Sequence, residues 1–242
     1  MLNYNKRIVF TGGGGRFAKA FKKIENQVDY NFYFPQKKEV NILNLKSIKD
    51  YLRRVKPKYL LHLAGLSRPM NIHEKDINQS IDKNIIGTAN VTKACLAFNT
   101  KLVYISTCYI YPGIKGNYDE NSAVKPINNY AWSKLGGECS VMLYKNSLIL
   151  RTSATEKPFV HKGAFVDFNT NFIFHDDLVR NIIKIIDEKG VINIGGKTQS
   201  VYSFAKKYNP KIKKIYSKKV LGKSSPINVS MNIDKFNKLI DD

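Results

Sequence analysis

The sequence predicts an α/β protein built on a doubly wound parallel sheet. Short apolar segments rich in β-branched residues alternate with segments whose apolar residues recur at helical spacing. This alternation implies right-handed crossovers between parallel strands, with helices on both faces of one sheet. A cluster of glycines, Gly12–Gly15, follows the first apolar segment and precedes the first helical one. A strand, a glycine turn and a helix in this order are typical of Rossmann-like folds.

The predicted elements follow one another closely along the chain. The predicted strands are Arg7–Thr11, Tyr30–Phe34, Tyr59–Leu63, Leu102–Ser106, Leu148–Arg151 and Val191–Ile194. The predicted helices are Phe17–Ile24, Leu45–Val55, Ile77–Phe98, Asn129–Tyr144, Asp176–Asp187 and Ile233–Ile240, with Ser200 expected to cap a further short helix. The alternation becomes less regular after Arg151. We therefore expect a Rossmann domain over residues 1–152 and a smaller region, with the last strands and helices interleaved, over residues 153–242.

Composition indicates a globular protein without a membrane span. The chain has 242 residues, of which 43% are hydrophobic, and no apolar run approaches the ~18 residues that a transmembrane helix needs. Residues 1–7 carry no apolar signal segment. The three cysteines cannot all pair with one another, so we expect free thiols in a reducing compartment. These features together predict a cytoplasmic location.

The net charge is strongly positive, because 40 Lys and Arg stand against 19 Asp and Glu, giving +21. Three interpretations stay open: a lysine-rich solvated surface, a field that attracts a polyanionic small substrate, and nucleic-acid binding. The basic residues are scattered except for a denser stretch from Lys206 to Lys223. The solvated surface is therefore favoured, and nucleic acid is disfavoured.

The glycine turn predicts dinucleotide binding. Gly12 permits the tight turn, Gly15 lets the backbone approach a pyrophosphate, and the small Ala18 lets the helix pack closely on the sheet. The pyrophosphate would lie at the helix N-terminus, where free N–H groups and the positive end of the helix dipole point toward it.

The segment after the second predicted strand favours NADP(H) over NAD(H). An acidic residue at this place binds the ribose 2′-hydroxyl of NAD, whereas a basic residue accommodates the 2′-phosphate of NADP. The segment reads Pro-Gln-Lys37-Lys38, with no acid before Glu39, and Arg16 of the glycine turn could also reach a 2′-phosphate.

Tyr130 and Lys134 are the predicted catalytic pair. They are four positions apart in a predicted helix and therefore share one helix face. A tyrosine hydroxyl has a pKa near ~10, and an ammonium about 5 Å away favours the phenolate by roughly 3 kcal/mol, or about two pKa units. Thr107 ends the fourth predicted strand, at the carboxyl edge where ligands bind in such sheets, and could hold a substrate oxygen.

Five ordered motifs make the chain resemble the extended short-chain dehydrogenase/reductases. They are Thr11-Gly12 to Ala18, His62-Leu63-Ala64-Gly65, Asn84 to Asn90, Ser106-Thr107 and Tyr130 to Lys134, within a match over roughly residues 6–155. Within that superfamily the chain is most similar to the dTDP-4-dehydrorhamnose reductases. The similar stretches are residues 126–130, 133–138 and 151–153, and Ser225-Pro226-Ile227-Asn228 with Met231, Asn232 and Lys235.

The resemblance implies an NADP(H)-dependent reductase acting on the keto group of a nucleotide-activated sugar. NADPH would deliver hydride to the sugar 4-keto carbon while Tyr130 protonates the oxygen, and Lys134 would bind the nicotinamide ribose and lower the tyrosine pKa. Asn84 would support Lys134 through a water. The implied cofactor contacts are Gly12, Gly15, Arg16, Phe17, Lys37, Asn41, Ile42, Leu63, Ala64, Gly65, Asn84, Tyr130 and Lys134. The implied substrate contacts are Ser67, Thr107, Cys108, Arg151 and Ser153. The resemblance also allows a homodimer.

Two departures from the reductase pattern keep alternatives open. Cys108 stands where those reductases have Asp, and the stretch from Ser153 to Phe172 is short, so a trimmed substrate-binding portion is expected. One alternative is a nucleotide-sugar epimerase, which needs Tyr130, Thr107 and a cofactor retained through both half-reactions. The other is a non-catalytic NAD(P)-binding regulatory protein, similar to the beta subunit of methionine adenosyltransferase.

The histidines do not indicate a metal site. His62 lies inside the third predicted strand, where we expect a hydrogen-bonded core histidine rather than a ligand. His161 and His175 have no Cys or His partner at metal-binding spacing.

Overall fold

The computed structural model describes residues 4–222 and 226–241. Residues 1–3, 223–225 and 242 of the two predicted domains lie outside this description. They include Ser225, which belongs to the C-terminal stretch that resembles the reductases. None of the helices in the described ranges is long and apolar enough to cross a bilayer.

A six-stranded parallel sheet confirms the predicted doubly wound α/β fold. Its strands are β1 (Arg7–Thr11), β2 (Asn31–Tyr33), β3 (Tyr59–His62), β4 (Lys101–Thr107), β5 (Ser147–Thr152) and β10 (Gly190–Ile194). The spatial order is β10-β5-β4-β3-β1-β2, so the direction in which the sheet grows reverses between β1 and β3. Ligands bind beyond the carboxyl ends of the strands at such a switch point.

Six helices connect the first five of these strands. They are α1 (Arg16–Ile24), α2 (Leu45–Val55), α3 (Ile72–Lys75), α4 (Ile77–Ser80), α5 (Gly87–Phe98) and α6 (Asn129–Met142). The predicted helix Ile77–Phe98 is helical throughout, but its middle part, Ile81–Ile86, is π-helical. The predicted helix Asn129–Tyr144 ends two residues earlier than expected.

The chain forms two compact units that alternate along the sequence. The first comprises the described residues up to Ser106, Asn129–Leu150 and Ile186–Val191, and the second comprises Thr107–Asn128, Arg151–Ile185 and the described residues from Ile192 onward. A boundary was expected between residues 152 and 153, but the segment 107–128 belongs to the second unit and the segment 186–191 to the first.

The first unit has an apolar core on either face of its strands. One core cluster includes Val9, Leu52, Leu60, Val91 and Leu102. Elsewhere Phe10 stacks on Phe34 at 4.5 Å between ring centroids and lies 4.7 Å from Phe21 of α1. These contacts fix α1 and its preceding glycine turn against β1 and the end of β2.

The second unit consists of shorter elements. They are β6 (Ala154–Thr155), β7 (Gly163–Phe165), β8 (Asn169–Thr170), β9 (Ile173–Phe174), α7 (His175–Lys184), β11 (Gln199–Ser200), α8 (Val201–Lys206), β12 (Lys213–Ile215), α9 (Ser217–Leu221) and α10 (Asp234–Asp241). Ser200 caps α8 as predicted, because its hydroxyl accepts a bond from Ser203 N. Residues 153–172 hold short strands and no helix, in line with the short sequence there.

Candidate active site

The glycine turn after β1 is shaped by close backbone contacts. Gly12 has φ +70°, and a Cβ there would lie 2.8 Å from Ala64 N. A Cβ at Gly13 would lie 2.9 Å from Phe34, so this position also requires glycine, which sequence reasoning did not identify. Gly15 N donates to Gly12 O at 2.8 Å, and this bond closes the turn.

The start of α1 is where the sequence predicts that the pyrophosphate of a dinucleotide binds. Gly15 is the N-cap residue, no side chain caps the helix, and the first turn contains no acid. A glycine N-cap and a first turn without carboxylates leave the positive end of the helix dipole uncompensated by acidic side chains of α1, which favours an anion there. Arg16 is exposed at the first helical position, and Phe17 lies behind it, 5.5 Å from Phe21.

The segment after β2 presents lysines rather than a free carboxylate. Lys37 and Lys38 are exposed in a turn, whereas a carboxylate oxygen of Glu39 accepts a bond from Gln36 N at 2.9 Å. Glu39 therefore stabilises its own turn.

Asn41 and Ile42, two predicted cofactor contacts, have polar groups that are hydrogen-bonded within the first unit. Asn41 Oδ1 accepts from Leu43 N at 3.1 Å, and Ile42 O accepts from Asn90 Nδ2 at 2.9 Å. Their role in cofactor binding stays a prediction.

His62 is the hydrogen-bonded core histidine that the sequence predicted. Its Nδ1 lies 2.7 Å from Thr11 Oγ1 and its Nε2 lies 3.0 Å from Thr88 Oγ1. Because Thr11 Oγ1 accepts from the N–H groups of Leu63 and Ala64, its own proton is left for Nδ1, and Nε2 then donates to Thr88. Burial lowers the pKa of His62 to about 3, so the ring is neutral at physiological pH.

The π-helical segment presents Asn84 to the loop after β3. Asn84 is buried, its Oδ1 accepts from Leu66 N at 2.7 Å, and its Nδ2 donates to Leu66 O at 2.9 Å and Ser133 Oγ at 2.8 Å. Ser133 Oγ in turn donates to Tyr130 O. Both Nδ2 protons are therefore used to fix the loop and the start of α6. Ser67, a predicted substrate contact, is exposed in that loop.

The face of α6 that carries Tyr130 and Lys134 also carries Glu138, again four residues on. Lys134 Nζ lies 4.0 Å from the ring centroid of Tyr104, and the Tyr104 hydroxyl donates to Lys134 O at 2.9 Å. Burial lowers the pKa of Lys134 to about 7, and the nearby carboxylate of Glu138 opposes this shift. A full ammonium was expected from the sequence, but near neutral pH both forms of Lys134 are populated.

Glu138 is a site residue that sequence reasoning missed. Its side chain is fully buried, and it accepts a bond of 2.5 Å from Ser106 Oγ on β4. Ser106 is thus occupied inside the first unit. The signal was present in the sequence, because an acid four residues after Lys134 lies on the same helix face.

His73 is a second missed residue. Its ring lies 5.1 Å from the ring of Tyr130 at 62°, and its Nδ1 lies 2.8 Å from Ser80 Oγ. A second contact joins the same two helices, because Asn129 Nδ2 of α6 donates to a carboxylate oxygen of Glu74 of α3 at 2.5 Å. Helix α3 therefore holds the first turn of α6, although no spacing rule connects residues so far apart in sequence.

The predicted substrate residues in the second unit are buried. Thr107 Oγ1 accepts from Tyr109 N at 3.3 Å and so caps a short 3₁₀ turn. Cys108 Sγ lies 3.9 Å from Thr170 Oγ1, which donates to Ser153 Oγ at 2.8 Å. Burial raises the pKa of the Cys108 thiol to about 11, so the thiolate is not populated at neutral pH. These contacts favour structural roles for Cys108 and Ser153, and substrate contact stays a prediction.

Arg151 is also engaged within the second unit. It is 4% exposed, and its Nη1 donates to the Tyr111 hydroxyl at 2.9 Å and to Glu120 O at 3.1 Å. The Tyr111 hydroxyl donates to Asn193 Oδ1 at 2.8 Å. This network favours a structural role for Arg151 over the predicted contact with substrate. Across the described residues, no cluster of three or more His, Cys, Asp or Glu side chains is arranged to hold a metal ion.

Curated relatives of the chain include proteins of two kinds. The chain is 26% identical over 199 residues to dTDP-4-dehydrorhamnose reductase from Aggregatibacter actinomycetemcomitans, covering 80% of this chain and 63% of that protein. It is 28% identical over 144 residues to methionine adenosyltransferase 2 subunit beta from Danio rerio, covering 57% of this chain and 44% of that protein. The chain thus spans less than two thirds of the length of these relatives.

Solved structures share the fold over nearly the whole chain. A dTDP-4-dehydrorhamnose reductase from Bacillus anthracis in complex with NADP matches with a TM-score of 0.85 and 23% identity, covering 98% of this chain and 93% of that one. The enzyme WbmG from Bordetella bronchiseptica in complex with NAD matches with a TM-score of 0.78 and 15% identity, covering 99% and 89%.

The model of one protein family matches residues 6–169, which comprise both the glycine turn and the Tyr130–Lys134 pair. This is about two thirds of the chain. The fold and the order of the motifs agree with that match, so the chain belongs to the RmlD substrate binding domain family.

Proposed function

We propose that this protein is an NADP(H)-dependent reductase acting on the keto group of a nucleotide-activated sugar, with dTDP-4-dehydrorhamnose as the first substrate to test. The observation that carries the proposal is the face of α6, where Tyr130, Lys134 and Glu138 follow one another at intervals of four residues. A tyrosine beside a lysine of lowered pKa is suited to proton transfer near neutral pH. Family membership and the name of the Aggregatibacter relative support the sugar substrate.

Each residue of the proposed mechanism has a separate task. NADPH, when bound, supplies the hydride for the carbonyl carbon. The Tyr130 hydroxyl donates its proton to the carbonyl oxygen as negative charge develops there. Lys134 in its ammonium form stabilises the resulting phenolate and holds the cofactor ribose, and Glu138 favours that ammonium form. Thr107 is proposed to hold the substrate oxygen.

The preference for NADP(H) over NAD(H) is part of the proposal. Exposed Lys37 and Arg16, together with the engagement of Glu39 in its own turn, support a binding place for a 2′-phosphate. The related solved structures do not decide the matter, because one is a complex with NADP and another a complex with NAD.

The proposal is tested by the loss of NADPH absorbance in the presence of enzymatically prepared dTDP-4-dehydrorhamnose. We expect oxidation that depends on both compounds, and tighter binding of NADPH than of NADH by calorimetric titration. Equal or tighter binding of NADH would overturn the cofactor preference without affecting the reductase assignment.

Two other functions give different results in the same assay. A nucleotide-sugar epimerase would retain a stoichiometric cofactor through purification and would convert sugars without net NADPH consumption. A non-catalytic regulatory protein would bind NADPH and turn over no sugar. The regulatory function is favoured by one observation: the match to a methionine adenosyltransferase subunit covers 57% of the chain.

A further inference from the structure

The positive charge of the chain is concentrated in one segment. Residues 189–233 contain ten lysines and no Asp, Glu or Arg. The other 197 residues carry 30 Lys and Arg together with all 19 acids. A general preference for lysine would not by itself remove every acid from 45 consecutive residues, so this segment differs from the rest of the chain.

Within the second unit, the described part of this segment presents its lysines to solvent. We call the following exposed residues the lysine surface: Lys206, Lys207, Lys211, Lys213, Lys214, Lys218 and Lys219. Strand β12 pairs in parallel with β7 and contributes Lys213 and Lys214, which are both exposed and extend from opposite faces of the strand. Lys213 N also bonds to the backbone carbonyl of Lys162, another exposed lysine, so β7 adds charge beside β12.

Exposed apolar side chains accompany the lysines at α9. Tyr216 is 49% exposed, Val220 62% and Leu221 55%, and Lys218 and Lys219 lie between them in sequence. The carboxylate of Asp167 lies at the start of α9, where it accepts a bond from Ser217 N at 2.7 Å. Helix α9 and the residue before it therefore combine exposed ammonium groups with an exposed aliphatic pair.

We propose that the lysine surface docks the protein on an anionic lipid bilayer, with Val220 and Leu221 entering the headgroup region. Lysines near a negatively charged leaflet are attracted by its surface potential, each strengthening binding by about fivefold. Aliphatic side chains at the tip of such a basic surface add affinity by leaving water, and tyrosine suits the boundary between headgroups and water.

Nucleic acid fits the same surface less well. The segment has no arginine, whose guanidinium group suits bidentate contacts with phosphate. Lysine side chains already flank the aromatic rings, since Lys206 and Lys214 lie 5.8 and 5.3 Å from the centroid of Tyr202. Neither Val220 nor Leu221 has a use against a phosphate backbone.

The test is co-sedimentation of the full chain with large vesicles of phosphatidylcholine alone or mixed with phosphatidylglycerol. We expect binding only to the mixed vesicles, weakening as salt is raised. Replacing Lys213, Lys214, Lys218 and Lys219 together by Gln should reduce the partition coefficient at least about tenfold. The double change Val220→Ser and Leu221→Ser should reduce it by a smaller factor that is insensitive to salt.

A matched control removes four lysines from the first unit, with Lys46, Lys49, Lys93 and Lys145 changed to Gln. We expect this variant to keep binding to within about twofold, because it leaves the lysine surface intact. The proposal is overturned if the control loses as much binding as the test variant, if the protein does not bind the mixed vesicles, or if it binds a single-stranded oligonucleotide more tightly than the vesicles. None of these results depends on the proposed reductase activity.

Discussion

Helix α6 of the first unit and the buried polar network of the second differ in how their side chains are brought together. On α6 the side chains of Tyr130, Lys134 and Glu138 share a face because a helix returns to the same direction every four residues. In the second unit Arg151 meets Tyr111, 40 residues away, and Cys108 meets Thr170, 62 residues away. Local spacing predicts the first arrangement, whereas only the folded chain reveals that the second is internal.

The largest effect that would sharpen this comparison concerns Tyr130. Tyr130→Phe removes one hydroxyl and keeps the ring that packs on His73, so we expect turnover of a verified substrate to fall by ~10²–10⁴-fold. The free energy of unfolding and the affinity for NADPH should barely change. Steady-state kinetics measure the turnover, and urea denaturation and calorimetric titration measure the other two quantities. Full activity in this variant would disprove the proposed proton transfer.

A stability effect of the next magnitude is expected at Arg151. Arg151→Met leaves the Tyr111 hydroxyl and Glu120 O without their buried donor, so the free energy of unfolding should fall by about 2–4 kcal/mol. Urea denaturation measures the change. Arg53→Met removes an exposed arginine and should change stability by less than about 0.5 kcal/mol. If Arg151→Met instead raised KM for the sugar with little loss of stability, the result would support the substrate contact that the sequence predicts.

A smaller difference in stability is expected between substitutions at two neighbouring glycines of the glycine turn. Gly13→Ala places a Cβ 2.9 Å from Phe34, and we expect a loss of about 1–3 kcal/mol in stability together with weaker NADPH binding. Gly14→Ala meets nothing closer than Gln36 Oε1 at 3.8 Å, and its effect should stay within about 0.5 kcal/mol. Thermal unfolding with and without NADPH compares the two, and equal effects would contradict the close approach of Gly13 to Phe34.

The last effect, visible only as a dependence of stability on pH, is expected at Lys134. Its pKa is about 7 in the folded protein, against about 10.4 in an unfolded chain. Between these values the unfolded chain binds a proton that the folded protein does not, so this lysine makes stability rise with pH across that range. Lys134→Met should therefore reduce the increase in the free energy of unfolding with pH, as measured by urea denaturation. Lys93→Met, at an exposed lysine, should leave that increase unchanged. An unchanged slope would mean that Lys134 is more solvated than its position beside Tyr104 suggests.

Much of the first unit could be predicted from the sequence because its determinants are local. The glycine turn, the strand periodicity and the spacing of Tyr130 and Lys134 each involve residues close together in the chain. Glu138 could have been included by the same spacing rule. His73 could not, because its contact with Tyr130 depends on where α3 lies after folding.

Three predicted substrate contacts in the second unit stay predictions after the structure is known. Cys108, Arg151 and Ser153 were assigned to substrate through resemblance, which transfers positions without their burial. The structure shows these side chains bonded to partners inside their own unit. A polar residue in a family motif can therefore serve folding as readily as recognition.

The π-helical segment Ile81–Ile86 makes the number of residues, and not only their identity, a determinant of the site. A π turn accommodates one residue more than an α turn, and such insertions occur often at functional sites. Removing a single residue here would restore a regular α-helix and rotate the preceding helical turns by about 100° relative to α5. Asn84 would then leave Leu66 and Ser133, even though every side chain of the site was still encoded. Insertions and deletions in this segment should consequently be tolerated less well than most substitutions, so chain length there is itself under constraint.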